Sequence, residues 1–257
     1  MIAEMNRESL AFSMHVGDFK SAQSECTDAL FLQRREAFSL SHHAFVYIPG
    51  DNEWVDCGRA YWARRDPLER LAKLRELFFA GDSTLGQRPI AVAKQAGRGY
   101  PEHLRWTVDD VVFATVNVPG PGNNSGVPQE SQPRTAAVLD WMREAFSIAR
   151  TRRSPAVVLG VHANIFTGSA AYGDILDAIA REALRYDGQV LIVHGDTHLY
   201  HYDQPLVDAR SGRKVMNVQR LEVSGSPFVN WFYVTVTVTN GRASFSVTPA
   251  SERLRPN

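Results

Sequence analysis

Cysteine is scarce, charge is balanced and no apolar run is long, and each shortage removes a class of protein. Only Cys26 and Cys57 occur in 257 residues, too few for a disulfide scaffold and without zinc-finger spacing. Lysine plus arginine equals aspartate plus glutamate at 28 each, so no basic field draws the chain onto bulk nucleic acid or an anionic membrane. The longest apolar stretches, residues 155–161 and the alternating 231–238, are much too short to cross a bilayer as helices. No glycine-rich phosphate loop of the Walker or dinucleotide type follows a first strand, which sets aside a nucleotide-binding α/β domain. Glu4, Arg7 and Glu8 interrupt the region where a secretory signal needs an apolar core. The expected location is cytoplasmic as written, and periplasmic or secreted if a further segment lies upstream.

What is present is a chain with 44% hydrophobic residues, enough for one substantial core, and we expect a single domain over 1–257. Apolar, β-branched runs at 11–16, 44–48, 111–118, 156–161 and 189–194 predict strands, separated by helical periodicity at 26–38, 67–80, 134–149 and 172–186. This alternation predicts an α/β fold with a largely parallel sheet covered by helices. Residues 119–133 read as a long loop, the kind that is more often functional than accidental. After His198 the character changes: 214–223, 231–239 and 244–248 read as strands. Thr235, Thr237 and Thr239 alternate with Val234, Val236 and Val238, and Asn240-Gly241 predicts a hairpin turn. These strands are expected to build a second sheet packed on the first.

Four short stretches place ligand-type side chains at predicted strand ends, where open parallel sheets gather their ligands. They are Gly17-Asp18, Gly50-Asp51-Asn52-Glu53-Trp54, His162 after the run 157–161, and His194-Gly195-Asp196-Thr197-His198. Alone, Gly-Asp marks a turn as readily as a metal site, and a lone histidine behind a strand is more often a satisfied core group. Together they offer the mixed oxygen and imidazole donors that suit Zn, Mn, Fe or Ni. Asp196 and His198 converge if Gly195 turns the chain, which leaves His194 and His201 as supporting or surface groups. His15, His42, His43 and His103 carry no such signal. Cys26 and Cys57 each follow one of the first two motifs, so a disulfide between those loops and a pair of buried free thiols are both open.

In this order and at these intervals the four pieces resemble the calcineurin-like metallophosphoesterase superfamily, over about 12–198. The strings 15–20, 49–57, Arg105-Trp106 and 116–124 are similar to a bacterial subgroup with a G-D-N-E-W motif. The resemblance implies two packed mixed β-sheets flanked by helices, a four-layer αββα sandwich. It also implies a dinuclear metal centre in which Asp18 bridges both ions, His162 and Asp196 serve one, and His198 serves the other. The third element admits two registers, with either Asp51 or Asn52 as the ligand and Asn52 or Glu53 in place of the family's catalytic histidine. Arg59 and Asn124 are the candidates for substrate phosphate contacts, since guanidinium and amide donors suit phosphoryl oxygens.

The family's first element, an Asp and a His on a preceding strand, has no counterpart before Phe12, where residues 1–10 read as a short amphipathic helix. The first strand is therefore missing, the domain reads as N-terminally truncated, and the second of two divalent ions is expected to be weak or absent, because catalytic zinc sites use about three protein ligands. The expected activity is hydrolysis of a small phosphate mono- or diester by a metal-bridging hydroxide, with two metals about 4 Å apart lowering its pKa to about 7. The alternative is a degenerate, non-catalytic domain that binds one metal and a phosphorylated ligand.

Overall fold

Strands that must be covered on both faces read as unbroken apolar runs, and in the computed structural model, which describes residues 1–59 and 63–253, those runs form the centre of the molecule. The chain order is α1 (Ile2–Met5), β1 (Phe12–His15), α2 (Asp28–Ser39), β2 (Ala44–Tyr47), α3 (Pro67–Phe78), β3 (Ala93–Gln95), β4 (Tyr100–Val108), β5 (Val111–Thr115) and α4 (Pro128–Arg152). It continues with β6 (Ala156–Gly160), α5 (Gly173–Ala183), β7 (Gln189–His194), β8 (His201–Asp203), β9 (Val218–Glu222), β10 (Phe232–Thr239), β11 (Arg242–Pro249) and α6 (Ala250–Arg253).

A mixed seven-stranded sheet runs in the order β3-β4-β5-β6-β7-β9-β8. Strands β5, β6, β7 and β9 are parallel, and β3, β4 and β8 join antiparallel at the two flanks. Alternation decides which side chain goes to which face. Val112, Ala114, Val157, Leu159, Val190 and Ile192 meet Val138, Trp141 and Phe146 of α4 and Ile175 and Ile179 of α5. Phe113, Val158, Leu191 and Val193 point the other way, into a second core.

That second core lies under a parallel pair, β1-β2, with Phe12 opposite Ala44 and His15 opposite Tyr47. Phe12 packs edge-on against Trp106 and Phe113 of the large sheet, at 5.3 and 4.9 Å between ring centres. On the far side of the pair, Phe45 stacks on Phe38 of α2 at 4.5 Å and Tyr47 meets Phe78 of α3 at 4.9 Å. Both helices start where local chemistry dictates. Thr27 accepts from Leu30 N ahead of α2, and Asp66 accepts from Leu68 and Glu69 ahead of Pro67. Each cap satisfies donors that a helix start otherwise orphans. Burying large side chains such as Phe31 and Leu74 to 0% exposure stabilises this layer by roughly 1.5–3 kcal/mol each.

Three expectations change. The C-terminal strands do not form one second sheet: β9 enters the large sheet beside β7, because Val218 and Leu221 are as apolar as the strand they join. Only β10 and β11 pair with each other, in the predicted antiparallel hairpin, with Ala243 and Phe245 facing the core shared with β1-β2. The loop expected over 119–133 ends at Pro128, where proline at the first turn opens α4, since its missing N–H costs nothing there. The helix expected in the first ten residues is confined to α1. Among the described residues, no helix is long and apolar enough to cross a membrane.

Candidate metal centre

The turns after four strands converge at one edge of the layered sheets. Val16, Gly17 and Asp18 follow β1; Gly50 to Glu53 follow β2; His162 follows β6; Asp196 follows β7. Gly17 adopts φ +101°, and a Cβ there would meet His162 Nδ1 at 2.3 Å. Only glycine lets this turn pass so close to the imidazole. Asp18 is itself left-handed, at φ 60°.

His162 is buried at 1% exposure, and its two nitrogens do different things. Nδ1 lies 2.6 Å from the Val16 carbonyl oxygen. A carbonyl only accepts, so Nδ1 carries the hydrogen and donates it. Nε2 then faces three carboxylates: Asp51 Oδ1 at 2.9 Å, Asp18 Oδ1 at 3.5 Å and Asp196 Oδ1 at 3.6 Å. A lone pair aimed at three anionic oxygens is repulsive unless a cation lies between them. That cation is a proton, giving imidazolium, or a metal ion. Ligand atoms of Asp18, Asp51 and His162 lie within 4.8 Å of one another, the span that one coordination sphere requires, and a backbone carbonyl on the far ring nitrogen is how ligating histidines are commonly oriented.

The electrostatics of the metal-free state follow from this crowding. Burial, then the carboxylates of Asp51 and Asp196, push Asp18 up to about 6. Burial and the neighbouring Asp18 push Glu53 up to about 8. Burial works against a charged His162, but its bonds to Asp196 and Asp51 override it and hold the imidazolium pKa well above the usual value. Burial raises Asp196 as well, and there the hydrogen bond with His162 wins and leaves it below the usual carboxylate range.

Asp18, Glu53 and His162 all bind protons more tightly folded than unfolded, so their stabilising contribution is complete at low pH. It is lost as pH climbs from the unfolded carboxyl range through about 8. His15, His103 and His194, lowered by burial to about 4, 4 and 3, act in the opposite sense up to pH 6.5. In EDTA the protein is therefore expected to lose on the order of a few kcal/mol between pH 6.5 and pH 8, seen as a falling melting temperature in calorimetry. Glu53→Gln should flatten most of that slope. An unchanged slope in the variant assigns the effect elsewhere.

The structure separates the residues expected from sequence. Asp51 is the member of the second motif that meets His162. Asn52 lies one step behind: its backbone N–H donates to Asp18 Oδ1 at 3.2 Å, and its amide donates to Asp18 Oδ2 at 2.8 Å and to the Lys20 carbonyl at 3.1 Å. Glu53 is wholly buried, and its Oε1 accepts a short hydrogen bond from Phe19 N. Asp196 joins the cluster, whereas His198 does not. Its ring is exposed, lies over Gly225 and turns Nδ1 to the Ser226 carbonyl oxygen at 3.0 Å. Arg59 pairs with Asp56 at 3.0 Å, with 59% of its side chain exposed. Asn124 donates to Glu130 Oε2 at 2.8 Å. His194 is buried on the α5 side of the sheet, where burial lowers it to about 3. His201 pairs with the buried Glu222 at 2.9 Å.

Cys26 and Cys57 form a disulfide, which closes the question that spacing left open. Both sulfurs lie near the Asn52 carbonyl oxygen, at 3.8 and 3.7 Å, so the bridge sits directly behind the two loops that carry Asp18 and Asp51. Sequence reasoning missed Lys20, buried beside these loops with Nζ donating to the Ser21 and Ser24 carbonyls at 3.0 Å each. It also missed Arg134 and Tyr172, described below. No protein-family model and no curated protein matches the chain.

Proposed function

We propose that the chain is a metal-dependent phosphoesterase that holds one divalent ion between Asp18, Asp51, His162 and Asp196. The observation that carries this reading is the position of His162 Nε2, 2.9 to 3.6 Å from carboxylate oxygens of Asp51, Asp18 and Asp196, an arrangement that needs a proton or a metal ion at its centre. Additional support comes from the order of layers, with α4 and α5, the large sheet, the β1-β2 pair, then α2 and α3, which is the order a calcineurin-like sandwich has. A divalent ion bound there supplies Lewis acidity toward a phosphoryl oxygen and acidifies a water molecule. Val16 orients the His162 ring, Asn52 holds both oxygens of Asp18, and Glu53 fixes the Phe19 backbone beneath it. The second position of a dinuclear centre would rest on Asp18 and on His198, whose ring is engaged with Ser226, so we assign one ion.

The placement of Glu53 and His198 favours a second reading. Glu53 is sealed from solvent and His198 stands outside the cluster, so neither presents a proton to a leaving group at the three carboxylates. A domain that binds one metal and a phosphorylated ligand without turning it over has this geometry too. The two readings part on one experiment. With Mn²⁺ added, nitrophenyl phosphodiester and monoester hydrolysis by the wild type should exceed that of Asp18→Ala and Asp51→Ala by at least roughly a hundredfold. Mn²⁺ binding by calorimetry without hydrolysis selects the binding domain, and absence of both removes the metal centre.

A further inference from the structure

The Asp196 carboxylate takes a backbone hydrogen bond from Asn164 and is also pressed by a second loop, residues 117–124. A Cβ on Gly120 would lie 2.1 Å from Asp196 Oδ2 and 2.5 Å from its Oδ1, so the Gly120 main chain lies directly against that carboxylate. The loop between β5 and α4 holds this position in an unfavourable conformation. Gly122, Asn123 and Asn124 are all left-handed, at φ 73, 55 and 51°, which costs an asparagine on the order of 1 kcal/mol or more.

Two buried side chains hold the loop in that shape. The Tyr172 hydroxyl accepts from Gly122 N at 2.8 Å and donates to the Pro119 carbonyl at 3.3 Å, so it brackets Gly120 from both sides. The Arg134 guanidinium binds the loop's two ends. Nη1 donates to the Asn117 carbonyl at 3.0 Å and to Asn123 Oδ1 at 2.7 Å, and Nη2 donates to the Asn123 carbonyl at 3.0 Å. Its Nε pairs with Glu130 at 2.7 Å, its charge lies 5.6 Å from the Trp54 ring, and its exposure is 0%. Burying a guanidinium and a carboxylate is seldom the most stable solution for a core, since apolar residues of like volume do as well or better. The arrangement is explained by what it holds in place.

We infer that Tyr172 and Arg134 are positioning residues for Asp196: they hold residues 117–124 as a clamp whose Gly120 backbone fixes the direction in which the Asp196 carboxylate faces His162. This rests on Asp196 being a metal ligand. Groups that orient metal ligands from behind are worth about 10–100-fold in metal affinity.

The test is a Co²⁺ titration of the full chain, followed by calorimetry and by the visible absorption of the bound ion, whose bands report ligand geometry. Tyr172→Phe removes one hydroxyl and should weaken Co²⁺ binding about tenfold and shift the bands. Arg134→Lys keeps the charge, loses the fork, and should do the same. Tyr186→Phe is the matched control: its buried hydroxyl donates to the Ser154 carbonyl, at the opposite ends of the strands, and its loss should leave affinity and bands as in wild type. If Tyr172→Phe binds like wild type, the clamp is wrong and the metal centre stands. If Tyr186→Phe weakens binding equally, general loosening explains the effect and the clamp is again wrong. A wild type with no Co²⁺ bands removes the metal centre and the clamp together. Should Arg134→Lys fail to fold, Tyr172→Phe decides alone.

Discussion

Replacing His162 by alanine is expected to abolish metal binding and to destabilise the metal-free protein at neutral pH. The first effect follows from losing the one nitrogen donor among oxygen ligands, together with the ring that Val16 holds in place. Mn²⁺ affinity should fall by more than about a hundredfold, measured by calorimetry. The second effect follows from charge. In the metal-free protein the imidazolium lies 2.9 to 3.6 Å from the carboxylates of Asp51, Asp18 and Asp196. Removing the charged partner of a buried cluster typically costs about 3–5 kcal/mol, or roughly 10 °C in melting temperature for a chain of this size. The deficit should narrow as pH is lowered toward 5, because Asp18, raised to about 6, then takes up a proton and lessens the repulsion. Thermal melts in EDTA at pH 5 and pH 7 measure both parts. A variant as stable as wild type at pH 7, with Mn²⁺ affinity intact, would leave the centre without its keystone.

Opening the Cys26–Cys57 bridge is expected to have the next largest effect. The two cysteines are 31 residues apart, and closing a loop of that length restricts the unfolded chain by about 3–4 kcal/mol in the entropic account. The double variant Cys26→Ser with Cys57→Ser should therefore melt roughly 10 °C lower. The loss should not stop at stability. The bridge lies behind Asn52, and Asn52 holds both oxygens of Asp18, so metal affinity should weaken by about tenfold. Dithiothreitol treatment of the wild type should reproduce both changes. If melting temperature falls while Mn²⁺ affinity holds, the bridge supports the fold alone.

The parts legible in the sequence were those governed by local pattern. The runs before Asp51, His162 and Asp196 are apolar on both faces, the run before Asp18 is apolar at Phe12 and Met14, and each ligand-type residue lies one to three positions past such a run. That puts all four at the carboxyl ends of strands from the sequence alone. Less legible was anything set by partners far along the chain. Asp51 and Asn52 both offer oxygen, and only the direction of His162 Nε2 distinguishes them. His198 sits two residues past Asp196, yet its left-handed backbone and the Ser226 carbonyl, 28 residues later, turn it away. Arg134 and Tyr172 lie in helical and turn segments with no motif around them. Their significance appears only where Gly120 touches Asp196.

The hydrogen bond from His162 Nδ1 to the Val16 carbonyl joins residues 146 positions apart, one at the end of the β1-β2 pair and the other at the end of a central strand of the large sheet. Its consequence is one of timing. Neither layer alone presents a ligand set: the small pair offers Asp18 and Asp51, and the large sheet offers His162 and Asp196. On the ribosome, the first two emerge long before the other two exist. A metal ion held by all four, as proposed, would therefore be captured after the layers have docked, and it would register that assembly is complete instead of guiding it.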